Sequence, residues 1–302
     1  MTINEGKKTE KQKKSFTFAL DSSSRLFVAY KPPFISSNSF LHRIKKKYRV
    51  KKAGFSGTLD PFAKGVLIIA FGSYTKLFRF LDKTPKVYRA TLWLGTHSPT
   101  LDIENIEKID QLLPFAEEKI KNVVEELKGE IEYIPPKYSA KKIEGVRSYE
   151  LARQNAEFSL KPVKSYIYDI KLLRYSHPFL TFEAEVSEGT YIRSIGKMIA
   201  EKLGTTGALS MLDRIREGKF VYENEIALDP LKYLKIPKNR CALSDNEVWD
   251  GKKIEPDDLE IRDDGYYYIE YKNFFSIIKV EKDKVSYEIN RLPKTEKLKQ
   301  EN

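Results

Sequence analysis

The segment Gly54–Gly72, GFSGTLDPFAKGVLIIAFG, constrains this chain more than any other. Its second half, Val66-Leu67-Ile68-Ile69-Ala70-Phe71, is an unbroken apolar run closed by Gly72. A run of that length without alternation reads as a strand covered on both faces. Its first half is a loop rich in Gly, Ser and Thr that presents one carboxylate, Asp60, fixed by Pro61. The two halves together place a reactive group on the lip of a buried strand. Its surroundings are cationic. From Ser22 to Leu59 there is no acidic residue, while Arg25, Lys31, Arg43, Lys45, Lys46, Lys47, Arg49, Lys51 and Lys52 crowd the same stretch. One acid in such a setting points to chemistry on a polyanion.

Composition supports that direction. The formal net charge is +11 over 302 residues, which favours nucleic acid or an anionic surface as partner. Charge alone also fits a merely soluble basic protein. Cys241 is the only cysteine, so neither an internal disulfide nor a Cys-based zinc site is expected. His42, His97 and His177 are too scattered for a metal centre. The longest apolar run falls far short of the ~20 residues of a membrane span, and MTINEGKKTEKQKKSF lacks the apolar core of a signal peptide. The expected address is the cytoplasm, with no membrane partner.

Along the chain, Arg25–Tyr30 reads as a strand broken by Pro32-Pro33. Ser36 to Ser39 offer N-caps to a helix with Phe40, Leu41, Ile44 and Tyr48 on one face and bases on the other. Tyr88–Leu94, Tyr166–Arg174 and Leu180–Ser187 read as strands. Phe115–Lys128 reads as a helix with Gly129 at its C-cap, and Ile192–Leu203 as a helix stopped by Gly204. From Asp229 the chain turns acidic and then β-rich. The organisation expected is a disordered basic tail over 1–15, an α+β main domain over 16–228 with an excursion at about 135–155, and a small β domain over 229–302.

Three places can carry chemistry. Asp60 can act as a nucleophile if it is ionised, exposed and aimed; on the dipeptide alone, Asp-Pro is more often a turn. Gly189-Thr190-Tyr191-Ile192-Arg193 joins a strand to a helix, where Arg193 can fork onto Asp60; by itself it also fits a surface Arg and a half-buried Tyr. Tyr88 can stack on an extruded base, although a strand Tyr usually packs in a core. Leu212 reads as core, and Asp102 as a solvated loop acid. Phosphate-loop, dinucleotide, zinc-protease, nucleophile-elbow and deaminase signatures are absent.

The Asp60 loop matches G-x-x-G-x-L-D-P-x-A-x-G-V-L, and so resembles the bacterial tRNA pseudouridine-55 synthases of the TruB type. The resemblance extends in family order from about Leu26 to Arg214. Lys31-Pro32 with Ser36-Ser37-Asn38 resembles K-P-x-G-x-[ST]-S, with Phe34 where Gly is usual. Lys86-Val87-Tyr88-Arg89-Ala90 resembles K-x-Y-x-A, and Leu94 to Asp102 the following L-G-x-x-T-x-T-x-D strip. Gly129 to Ala140 resembles the motif opening a thumb-like insertion. Gly189–Arg193 matches G-T-Y-I-R, and Leu212 with Arg214 aligns with L-x-R.

The resemblance implies the pseudouridine synthase fold, an α+β class with a mixed, mainly antiparallel sheet, followed by a small PUA-like β domain. It implies Asp60 as nucleophile, Arg193 paired to it, and Tyr88, Tyr191 and Leu212 shaping a uridine pocket. It implies a monomer acting on the T arm of tRNA by base flipping, with no metal and no cofactor. Two further places depart from the pattern. Phe55 stands for the usual His, and Phe274-Phe275-Ser276-Ile277 replaces a Gly-rich motif of the tail. Other readings of the residues are a noncatalytic RNA-binding protein, an RNA-guided synthase lacking the insertion, and a glycosidase, which normally needs two carboxylates.

Overall fold

The computed structural model describes residues 23–139, 142–143, 146–148, 151, 154 and 158–294. The expected tail over 1–15 and part of the excursion at 135–155, including Tyr149, lie outside the described residues. The described residues form two compact units, 23–237 and 238–294.

The larger unit is organised on an eight-stranded sheet. Its strands are β1 (Arg25–Lys31), β2 (Ala53–Ser56), β3 (Lys64–Phe71), β4 (Lys86–Leu94), β7 (Gly129–Tyr133), β10 (Val163–Ser176), β11 (Phe179–Val186) and β12 (Gly207–Glu217). Two short hairpins, β5 (Thr96–His97) with β6 (Lys108–Ile109) and β8 (Lys142–Ile143) with β9 (Val146–Arg147), lie off it. The order is β1-β3-β12-β4-β11-β10-β7, with β2 also on β3. All neighbours are antiparallel except β3 and β12, which run parallel.

The apolar run of β3 is buried from Gly65 to Phe71, as a strand covered on both faces must be. Helix α1 (Ser37–Tyr48) lays Phe40 and Ile44 on Phe27, Ala29, Leu67, Ile69 and Phe71. Each such side chain, fully buried, contributes roughly 1.5–3 kcal/mol. Ser36 caps α1 by accepting from Ser39 N, and its bases face outward. The principal core lies between the other strands and helices α2 (Glu117–Glu125) and α3 (Ile192–Lys202). Leu59, Phe62 and Ala63, which bracket Asp60, belong to that core.

Two sequence expectations change, and strand β12 has no counterpart in the sequence reading. Gly129 opens β7 at φ 115 instead of capping α2, which ends at Glu125. Strand β12 carries no alternation, because Asp213, Arg214 and Glu217 within it are buried charges. The compact C-terminal unit starts at Lys238, not at residue 229. Tyr233 O accepts from Asp82 N (2.8 Å), Lys235 N donates to Phe80 O (2.8 Å), and Tyr233 stacks on Phe220 at 4.5 Å, which keeps 229–237 with the larger unit.

The smaller unit is the sheet β13 (Lys238–Asn239), β14 (Gly265–Glu270), β15 (Phe274–Glu281) and β16 (Lys284–Pro293), in that order. It is not wholly β: helix α4 (Asp245–Trp249), closed by a Ser244–Glu247 capping box, contributes Val248 and Trp249 to its core. Lys282 and Asp283, both at positive φ, make the two-residue turn between β15 and β16. Phe274-Phe275-Ser276-Ile277 is fully buried in β15.

Candidate active site

Asp60 stands in the loop between β2 and β3, and that loop is tied down from several elements. Ser37 Oγ accepts from Leu59 N and donates to Leu59 O, each at 3.0 Å. Arg214 Nη2 donates to Gly57 O at 2.8 Å. Lys31, fully buried, donates from Nζ to Pro32 O (3.0 Å), Ile35 O (2.7 Å) and Pro61 O (3.3 Å). Burial pushes the Lys31 ammonium down to about 8, with the charge of Asp60 opposing the shift. Glycine is required at two points. A Cβ on Gly65, at φ +120, would fall 2.4 Å from Arg214 O, and one on Gly57, at φ +69, would meet the Arg214 and Glu217 side chains at 3.0–3.2 Å.

Arg193 lies in the first turn of α3 and is 3% exposed. Its Nε is 3.0 Å from Asp60 Oδ2. Its Nη1 donates to Thr100 O (2.7 Å) and Asp102 Oδ2 (3.2 Å), and its Nη2 to Tyr138 O (2.9 Å). One guanidinium thus joins two carboxylates of different character. The Asp60 side chain is 33% exposed and open to a ligand, whereas that of Asp102 is 3% exposed. Asp102 is therefore not the solvated loop acid expected from sequence. Its Oδ1 accepts from Thr100 Oγ1 (2.6 Å) and Glu104 N (3.0 Å). Burial raises its pKa, against the pull of Thr100 and Arg193. Leu101 between them sits at φ 60, a conformation costing an L-residue about 1–3 kcal/mol, which turns Thr100 O and Asp102 toward the same guanidinium.

A cavity of about 370 Å³ opens beside the pair, lined by Asp60, Tyr88, Tyr191, Arg193, Leu212 and Lys86 among others. Tyr88 pairs in register with Arg214 and Leu212 with Ala90 across β4 and β12. Behind them, Lys86 Nζ lies 3.2 Å from Glu217 Oε1, and Arg214 Nη2 3.4 Å from Glu217 Oε2. Arg214 Nε also donates to Val66 O at 2.8 Å. All three charges are buried and offset one another as ion pairs, although neither Glu217 oxygen gains a hydrogen bond. Tyr191 is fixed by its N–H, which donates to Tyr133 Oη at 2.9 Å. Gly189 has φ +85 with open space where a Cβ would stand, so glycine serves the turn there and not a close approach.

A second cavity of about 380 Å³ shares Asp60 and Arg193 and extends to Ser36, Phe55 and Glu104. A larger cavity, about 1430 Å³, runs from Pro135–Tyr138 to Lys197 and Glu201 on α3 and does not include Asp60. The carboxylate–guanidinium pair lines both smaller spaces, and Tyr88 and Tyr191 line the one of about 370 Å³.

The five residues singled out from sequence, Asp60, Tyr88, Tyr191, Arg193 and Leu212, thus line one cavity. Lys31, Lys86 and Arg214 stood within quoted motifs without an assigned part, Glu217 and Tyr133 were not singled out, and Asp102 was misjudged. Among the described residues, no group of three or more His, Cys, Asp and Glu side chains is placed to hold a metal ion. No helix there is long and apolar enough to cross a membrane.

Comparison with known proteins follows the same lines. The family model for TruB family pseudouridylate synthase (N terminal domain) matches residues 45–192. The chain is 58% identical over 271 residues to tRNA pseudouridine synthase B of a Nitratiruptor species, covering 90% of this chain and 98% of that protein. It is 51% identical over 272 residues to tRNA pseudouridine synthase B of Campylobacter jejuni, covering 90% and 99%. Among solved structures it resembles a chain of a Cbf5-Nop10-Gar1 complex, with a TM-score of 0.61, 22% identity, and coverage of 89% of this chain and 85% of that one. A chain of the archaeal box H/ACA sRNP Nop10-Cbf5 complex gives a TM-score of 0.60 at 20% identity, covering 89% of this chain and 86% of that one. At such identities the likeness speaks for the fold.

Proposed function

This chain belongs to the TruB family of pseudouridylate synthases, and on that premise we propose that it isomerises uridine 55 in the T loop of tRNA to pseudouridine, with Asp60 as nucleophile and the base flipped from its stack. The observation that carries this reading is the Asp60–Arg193 pair, 3.0 Å apart and a third open on the Asp60 side, on the wall of a cavity of about 370 Å³ with two tyrosines and a leucine. That volume suits one extruded nucleoside.

The reaction breaks the N1–C1′ bond, turns the detached uracil and joins C5 to C1′. A proton leaves C5 and one is gained at N1, so atoms and charge balance without an external reactant. Asp60 supplies the nucleophile. Arg193 fixes its direction, because three further contacts leave the guanidinium little freedom. Tyr88 and Tyr191 sandwich or edge the base, and Leu212 with the rings keeps water from the detached uracil. Extrusion costs a few kcal/mol, offset by phosphate contacts from the exposed bases of α1, such as Arg43 and Lys46.

Pseudouridine mapping of tRNA incubated with the purified chain and with Asp60→Asn tests the reading. The expected result is one new pseudouridine, at position 55, with the wild type and none with the variant, while both bind tRNA alike. Conversion by Asp60→Asn at an unchanged rate would remove Asp60 from the chemistry.

A further inference from the structure

Phe34 stands where the motif it resembles has Gly, in a backbone conformation that Gly adopts freely and Phe does not. Its φ is 61, in the left-handed region, and among the described residues with positive φ it is the only aromatic. A bulky side chain there is strained, since its Cβ crowds the backbone. The residue is also 71% exposed, more than any other Phe, Tyr or Trp of the described residues. Backbone strain and a ring left in water both disfavour this arrangement in the free protein, and the buried cores gain nothing from it.

The position of the ring indicates what compensates. Phe34 lies in the loop Pro32–Ser36, whose carbonyls at Pro32 and Ile35 are gripped by Lys31 Nζ; the same ammonium holds Pro61 O beside Asp60. The ring is therefore carried on a loop locked to the Asp60 loop. Two residues on, Ser36 and Ser37 line the cavity that contains Asp60 and Phe55. Helix α1 begins at Ser37 and turns Arg43, Lys46 and Lys47 outward. An exposed aromatic two residues from Ser36 in the lining of that cavity, on a loop tied to the Asp60 loop and followed by cations, is complementary to an unstacked base with its phosphates.

We propose that Phe34 is a base-stacking contact for an unpaired nucleotide of the substrate RNA beside the target uridine, and that its strained backbone presents the ring for this purpose. The proposal rests on the function given above. Glycine adopts the same φ freely, so Phe34→Gly removes the ring without breaking the loop.

The test uses the full chain, Phe34→Gly and Phe34→Trp, with tRNA and with a T-arm stem–loop carrying 2-aminopurine next to the target. Stacking free energies per base convert to a rise of about 5- to 150-fold in Kd and KM for Phe34→Gly. Phe34→Trp restores wild-type binding. The 2-aminopurine is quenched by the wild type and Phe34→Trp but not by Phe34→Gly. The Tm of Phe34→Gly stays level or rises by about 2–4 °C as strain is relieved. A lower Tm with unchanged Kd would overturn the proposal and assign the ring to packing against the chain itself. Unchanged Kd and unchanged quenching would overturn it outright. If the wild type converts position 55 in either case, only this inference falls; if it leaves tRNA unmodified, the functional reading falls first and takes this one with it.

Discussion

A guanidinium offers five N–H donors in a fixed plane, and Arg193 directs four contacts to Asp60, Thr100, Asp102 and Tyr138. Lysine has three donors on a single atom and cannot reproduce that fork. Arg193→Lys is therefore expected to lower the single-turnover rate by roughly 100-fold or more, the scale of losing one aligned charge-stabilising donor. Arg193→Met, which strands two carboxylates, should destabilise the fold by about 3–5 kcal/mol. Asp102→Asn keeps the shape and the acceptor for Thr100 but removes the charge that aligns Arg193. It should cost roughly tenfold or more in rate with about 1 kcal/mol or less in stability. Rapid-quench kinetics beside urea titrations separate the two, and an unimpaired rate for Asp102→Asn would leave that residue with a packing role only. At this scale sequence showed the groups that touch the cavity but not those behind them. Asp60 and Arg193 stand in motifs that resemble those of the family, which alone lifted them above a turn and a surface Arg. Asp102, in a stretch with Ser98, Thr100 and Glu104, looks like any loop acid until the fold brings Arg193 across 91 residues to meet it.

Elements were legible in proportion to how simply they divide apolar from polar residues. Strand β3 has no charge between Gly65 and Phe71, and α1 has a clean apolar stripe, so both were read within a residue or two of their ends. Strand β12 hid because its buried face includes Asp213, Arg214 and Glu217. Charge is a surface signal unless a partner is known, and the partners Lys86, Lys64 and Tyr30 lie on other strands. Helix α1 carries its own prediction. Lys47 is tied to Glu225, whereas Arg43 and Lys46 are exposed. If the latter two each neutralise a phosphate, replacing both by Ala should flatten the slope of log Kd for tRNA against log salt by about one per residue, while Lys47→Ala should change it less. Filter binding between about 50 and 200 mM salt measures it. An unchanged slope for the double variant would move the phosphate path away from α1.

Across the whole molecule the charge is divided unevenly. Residues 238–302 hold fifteen Asp and Glu against thirteen Lys and Arg, a net charge of −2, so the first 237 residues carry +13 of the overall +11. Attraction to phosphate therefore resides in the unit that also holds the cavity. The smaller unit has its own core, from Val248 and Trp249 through Phe274 to Val280, and the larger one keeps residues 229–237 by its own hydrogen bonds and the Phe220–Tyr233 stack. The boundary legible in sequence, the shift in composition at Asp229, marks where charge changes and not where packing does. A chain cut at residue 228 would expose Phe220 and free the Phe80 and Asp82 backbone groups; one ending at Pro237 would not. The chain ending at Pro237 is expected to unfold cooperatively, to bind tRNA within about threefold of the full chain, and to convert uridine, since counterion release scales with the cations retained. The chain ending at residue 228 is expected to melt several degrees lower. Calorimetry and Kd on the two truncations decide the matter. A Kd raised about tenfold or more in a well-folded chain ending at Pro237 would mean that the acidic unit makes RNA contacts of its own, by shape or stacking and not by charge.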